Sequence, residues 1–216
     1  VGQCKLATAA STFHALSPSV FLVAVGVLAV SALDEIRRQQ LVRAAEGYLD
    51  LITVFADRWP LPPKLRDPVA ARALRALTAV ASSHHQRPHV QYLMGQALRT
   101  MERYADAIEP LSNAARLEPD HLHVHLALGW CHKRLGRLDL AIQALEDALL
   151  VAPEEGIVHY NLACYWSLHG NIRTAVKYLT QSFDLDPNYR DLVADEPDFD
   201  PIRNDPRFRM LTSVIV

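Results

Sequence analysis

The chain has 216 residues, half of them hydrophobic and 21% charged, with a formal net charge of −2. That balance excludes a disordered chain and offers no basic footprint for nucleic acid. Three cysteines, Cys4, Cys131 and Cys164, are too few and too scattered for a disulfide framework or a zinc ribbon, and they fit a reducing compartment.

The first predicted element is apolar. No formal charge occurs from Leu6 to Leu33, and residues 20–32 read VFLVAVGVLAVSA. That core is shorter than the roughly 20 apolar residues of a membrane span. It reaches span length only by extending to Phe13 and taking in His14, Ser17, Pro18 and Ser19. Two readings stand for the segment 1–33: an anchor through residues 13–33 with Arg37, Arg38 and Arg43 on the cytoplasmic side, or a helix packed on the fold. The chain begins at Val1 rather than Met, which fits a processed or incomplete N-terminus. Residues 34–58 carry one long amphipathic helical pattern, and PLPPKLRDP at 60–68 is too rich in proline to continue it. The region 34–87 is expected to be a degenerate helical pair that caps the helices after residue 87.

From residue 88 the chain repeats with a period of 34 residues. Pro119, Pro153 and Pro187 are evenly spaced, as are Ala107, Ala141 and Ala175, and Leu111, Leu145 and Leu179. Met94, Leu128 and Leu162 precede the small residues Gly95, Gly129 and Ala163. Three gapless copies result: 88–121, 122–155 and 156–189. Each reads as a helix, a tight turn and a second helix. In the middle copy Gly136 closes the first helix, and Pro153 ends the second. Ala73, Leu74, Leu77 and Val80 lie one period before Ala107, Ile108, Leu111 and Ala114, a weaker fourth copy. Small residues at Gly129, Ala141 and Ala148 mark places where two helices cross closely.

After Pro187 the texture changes. Residues 184–200 hold seven acids and one Arg. The Asp-Pro steps at 200–201 and 205–206 read as helix starts, with Asp capping and Pro in the first turn. A repeat array needs a polar end, because its last inner face has no neighbour. Residues 190–216 are therefore expected to form a C-terminal cap.

The Leu128-Gly129 pair, Gly136, Ala141, Leu145, Ala148 and Pro153, with their partners 34 residues away, resemble the tetratricopeptide repeat. The tail resembles the segment that closes many bacterial arrays of this type. The resemblance implies an all-α fold: a right-handed α-solenoid of helix-turn-helix repeats with N- and C-terminal capping helices. One departure stands out. The large aromatic early in each first helix is replaced by Gln91, His125 and His159.

The stretch HLHVHLALGWCHKRLG at 121–136 raises a metal question. His121 and His125 are four residues apart on one helical face, the spacing two ligands need, but His123 points elsewhere and no carboxylate completes an HExxH pattern. His159 is the candidate third ligand from the next repeat. Repeat stacking explains His125 and His159 equally well as packed side chains, so no metal and no cofactor are expected. There is no nucleophile elbow, P-loop or Rossmann glycine set, and Cys131 and Cys164 read as structural helical thiols. Nothing points to an enzyme.

The resemblance places function on the concave surface, lined by one face of each first helix. The matching side chains are His89, Tyr92, Gln96 and Arg99 in the first repeat, His123, Trp130, Lys133 and Arg134 in the second, and Tyr160, Asn161 and Cys164 in the third. Leu93, Thr100, Leu126, Ala127, Ile157, Ser167 and Leu168 share that face. Aromatics offer rigid contact surface, and Arg99, Lys133 and Arg134 give positive charge, with His89 and His123 adding more as pH falls. The expected ligand is a protein or peptide segment with acidic and apolar residues. The places that would form a carboxylate clamp for a chaperone tail hold Tyr92, Gln96, Ala127, Ile157 and Asn161, which lack the cations. The expectation is a non-enzymatic interaction scaffold of the cytoplasm, at the face of a membrane if residues 13–33 are an anchor. The alternative is a structural assembly factor, tethered or self-associating through the N-terminal apolar segment.

Overall fold

A computed structural model describes residues 18–54, 60–81 and 87–213, with side chains for 31–54, 60–80 and 87–213. Among them every regular element is helical. α1 (Pro18–Thr53) packs on α2 (Pro63–Ala81); α3 (Pro88–Thr100) on α4 (Tyr104–Leu117); α5 (Leu122–Arg134) on α6 (Leu138–Val151); α7 (Gly156–Leu168) on α8 (Ile172–Leu185). Each pair also packs on the next, through α2–α3, α4–α5 and α6–α7. The result is a helical solenoid. First helices start at 88, 122 and 156, and second helices at 104, 138 and 172, so the helix starts keep the 34-residue period of the sequence.

The turns show why. After α5, the N–H of Gly136 donates to Lys133 O at 2.9 Å and that of Arg137 to His132 O at 2.9 Å. This is the Schellman closure, which needs a left-handed residue to reach back to the orphan carbonyls. The same two bonds recur after α7 at Gly170 and Asn171, and after α3 at Glu102 and Arg103. Gly136 and Gly170 have φ of 70° and 82°; Glu102 takes the same place with φ of 60°. The sequence period thus fixes a backbone conformation even where glycine is missing.

Close helix crossings are held by the small positions. A Cβ on Gly95 would come within 2.5 Å of the Leu111 side chain, and one on Gly129 within 3.2 Å of Leu145. Leu111, Leu145 and Leu179 are wholly buried, as are Ala107, Ala141 and Ala175. Ala73, Leu77 and Val80 of α2 are buried in the same way.

Two local expectations change. The proline-rich stretch is not all connection: α2 begins inside it at Pro63, with Pro68 within the helix. Pro63 suits a first turn, where its missing N–H costs nothing, and Pro68 gives up a single bond to the Lys64 carbonyl. In the tail, α9 (Tyr189–Leu192) is followed by a 3-10 turn at Pro197–Phe199 and by α10 (Pro206–Thr212). The Asp205-Pro206 step does start a helix, its carboxylate accepting the Arg207 N–H. The Asp200-Pro201 step does not, because Glu196-Pro197 takes that role and Asp200 pairs instead with Arg203. Val193, Phe199, Ile202 and Phe208 of this tail are buried against α7 and α8.

Among the described residues no helix is long and apolar enough to cross a membrane. The anchor expectation for residues 13–33 falls almost wholly on residues 1–17 and the side chains of 18–30, outside the described residues.

Candidate partner-binding groove

The histidine cluster resolves first. His125 Nε2 donates to the Pro119 carbonyl at 2.7 Å, and His159 Nε2 to the Pro153 carbonyl at 2.7 Å. Both rings are buried. The two bonds are one period apart and satisfy carbonyls just past the preceding helix, so the imidazole replaces the expected aromatic and also ties successive pairs together. A carbonyl acceptor fixes the proton on Nε2 and takes that nitrogen from any metal. The His121 ring lies 4.9 Å from the Tyr92 ring and 6.0 Å from the His123 ring.

Six of the eleven groove candidates converge. Tyr92, Gln96 and Arg99 of α3, His123 and Trp130 of α5, and Asn161 of α7 line a cleft of about 220 Å³, together with Leu126, Ala127 and Tyr165. Trp130 is 37% exposed. With Arg99 it also lines a second cleft of about 360 Å³ that reaches Ile52 of α1, Pro60 and Leu61 ahead of α2, Arg66 of α2, and Tyr104 of α4. Trp130 and Arg99 thus line both clefts.

Five candidates go elsewhere. His89 is exposed and bonds Glu46 of α1 at 2.7 Å. Arg134 lies over the Tyr104 ring at 5.0 Å. Lys133 forms an ion pair with Asp198 of the C-terminal cap, between the rings of Trp130 and Tyr165 at 5.1 and 5.6 Å. Tyr160 is 5% exposed, stacked on Tyr189 and edge-on to Phe199. Cys164 is 2% exposed. The cap covers the inner face of α7, so Tyr160 and Cys164 are core residues and the lysine charge is neutralised from within the chain. Asp198 is its buried partner.

Arg99 is different. Its Nε and Nη2 both donate to the Gln96 Oε1, at 2.9 and 2.7 Å, and no acid among the described residues pairs with it. The amide holds the guanidinium in place without neutralising it, leaving a positioned cation in a cleft that Tyr92, Trp130 and Tyr165 also line.

Cys164 Sγ and the carboxylates of Glu196 and Asp198 lie within 4.8 Å of one another. Both carboxylates already accept hydrogen bonds: Asp198 from the Lys133 ammonium, and Glu196 from the Asp198 N–H that it caps. Burial, with Glu196 and Asp198 adding to it, holds the Cys164 thiol well above its usual range. Burial pushes the Cys131 thiol up to about 11, against a weaker pull from Arg99. Protonated, enclosed thiols are poor nucleophiles and poor ligands.

Tyr165 is the groove residue that sequence reasoning passed over. Its signal was spacing: it lies four residues after Asn161, on the same face of α7.

Residues 92–157 match the family model described as tetratricopeptide repeat. Among solved structures, a crystal structure of MamA protein superposes with a TM-score of 0.60 at 17% identity, over 75% of this chain and 80% of that one. MamA 41-end from Desulfovibrio magneticus RS-1 gives 0.55 at 20% identity, over 79% and 94%. At this identity the likeness is one of fold. No curated protein matches the chain.

Proposed function

We propose that this helical solenoid, whose residues 92–157 match the tetratricopeptide repeat, is a non-enzymatic interaction scaffold whose concave groove binds an extended partner segment. The observation that carries this reading is Arg99: a guanidinium positioned by Gln96, unpaired by any described acid, in a cleft that Tyr92 and Trp130 also line. A cation fixed in place before binding loses little entropy when an acidic side chain arrives, and the aromatic walls take an apolar neighbour. The partner is a protein or peptide segment carrying an acid next to an aromatic or aliphatic residue. It runs across Trp130 from the α7 side toward α1 and α2. Lys133 and Arg134 contribute little, since each is engaged within the chain. Buried free thiols at Cys131 and Cys164 fit action in a reducing compartment such as the cytoplasm.

Selection of a displayed library of random peptides on the intact chain tests this. Enrichment of acidic-apolar sequences is expected, with affinity falling at least about tenfold in Arg99→Glu and Trp130→Ala. Enrichment of basic sequences, or binding unchanged in both variants, overturns it.

A further inference from the structure

Another cleft lies at the C-terminal end of the array, where α8 packs on α9 and α10 of the cap. It measures about 410 Å³, within the roughly 300–1,000 Å³ of small-molecule sites. Arg173, Val176 and Thr180 of α8 line it, at the spacings of three and four that share one helix face. α10 contributes Arg207, Met210 and Leu211, and α9 contributes Arg190. No lining residue is shared with the groove clefts. Met210 is 72% exposed, a flexible apolar side chain of the kind that adapts to a bound hydrocarbon. Three guanidiniums line the cleft and no carboxylate does. Asp205, which does not line it, pairs with Arg207 at 3.0 Å. Arg190 lies over the Phe183 ring at 4.4 Å, and no acid among the described residues pairs with it or with Arg173. Two positive charges thus stand uncompensated beside carbon.

We propose that this cleft binds a small anionic amphiphile, a carboxylate on a hydrocarbon body, of which a medium-chain fatty acid is the simplest. Hydrogen-bonding capacity selects that ligand over a peptide. Guanidiniums donate and never accept. Among the lining side chains the Thr180 hydroxyl is the one oxygen, and its proton goes to the Val176 carbonyl at 2.9 Å. A peptide backbone brings an N–H for nearly every carbonyl, and this lining offers those donors almost nothing. A fatty acid anion has acceptors at one end and no polar atom elsewhere, which matches a cleft of donors and carbon. The planar guanidinium fork suits a carboxylate, and Val176, Met210 and Leu211 take the chain. This site does not depend on how the groove is used.

Titration of the full chain with decanoate, below the concentration at which it forms micelles and followed by heteronuclear NMR, tests the site. Saturable binding is expected, with shifts in α8, α9 and α10 and none at the Trp130 indole N–H. Octanoate should bind on the order of tenfold more weakly, because it buries two fewer methylenes. Uncharged octanol should bind more weakly still. Arg173→Glu should lower decanoate affinity about fivefold or more, and Met210→Asp about tenfold. Both positions are exposed, so circular dichroism should not change. Binding that never saturates, shifts centred on Trp130, or octanol binding as tightly as octanoate overturns the proposal. So does decanoate affinity unchanged in both variants. A blocked peptide of Glu and Leu that saturates this cleft while decanoate does not would overturn it too, by making a protein segment the occupant.

Discussion

Lys133 and Asp198 show how one side chain changes a surface. The ammonium and carboxylate are only 16% and 12% exposed, so removing one strands the other in a poorly hydrated place. Lys133→Ala should cost about 3 kcal/mol in urea unfolding, while the paired Lys133→Met/Asp198→Leu change should fall near neutral. Two losses of similar size that add independently would contradict that reading. Cys131 makes a pH-dependent contribution of known sign. Its thiol titrates near 11 in the fold against an ordinary value of 9.0. Above pH 9 the unfolded chain sheds this proton while the folded chain keeps it, so stability is present below 9 and lost as pH rises toward 11. Urea midpoints of wild type and Cys131→Ala at about pH 8 and about pH 10.5 should show their difference shrinking at the higher pH.

The helix pair is the element at which glycine is decided. At Gly95 an added methyl meets Leu111 at 2.5 Å, and that leucine is wholly buried with nowhere to go. Overpacking should outweigh the helix-propensity gain, and Gly95→Ala should destabilise by about 1–2 kcal/mol. At Gly129 the contact is 3.2 Å, a shift of a few tenths suffices, and the next repeat already holds Ala163 there. Gly129→Ala should be neutral or slightly stabilising by thermal melting. The opposite substitution belongs at the turn. Glu102 sits at φ of 60° where its two counterparts are glycines. Glu102→Gly removes left-handed strain but also an exposed ion pair with Arg66. A net gain of about 0.5–1 kcal/mol is expected, because the exposed pair contributes less than the strain costs.

The array as a whole depends on its ends. Val193, Phe199, Ile202 and Phe208 carry the last inner face into a continuous core with α7 and α8. Ending the chain at Asp186 should expose Tyr160 and Cys164, lower the melting temperature by about 10 °C or more and promote aggregation. A truncated chain that melts with the full one would mean that the cap is decoration. The same packing narrows the groove: by covering α7 it leaves the open surface to α3, α5 and the far end of α7. Of its three candidate cations, Arg99 is the one that no acid or aromatic ring among the described residues engages, and salt should weaken a bound acidic segment accordingly.

The 34-residue period, the small crossing positions and the left-handed turn residues were legible in the sequence, because each is local: a repeat states its own helix, turn and crossing, and three copies state it three times. The resemblance to a repeat family put Tyr92, Gln96, Arg99, His123, Trp130 and Asn161 on one surface, and spacing along α7 could have added Tyr165. What spacing could not tell was what lies over that face. That Lys133 meets Asp198, 65 residues away, that Tyr160 and Cys164 are core, and that His125 and His159 bond proline carbonyls all depend on how the tail and the turns fold back. Periodicity orients a side chain on its own helix. Only tertiary packing decides whether that side chain meets water, a partner or the rest of its own chain.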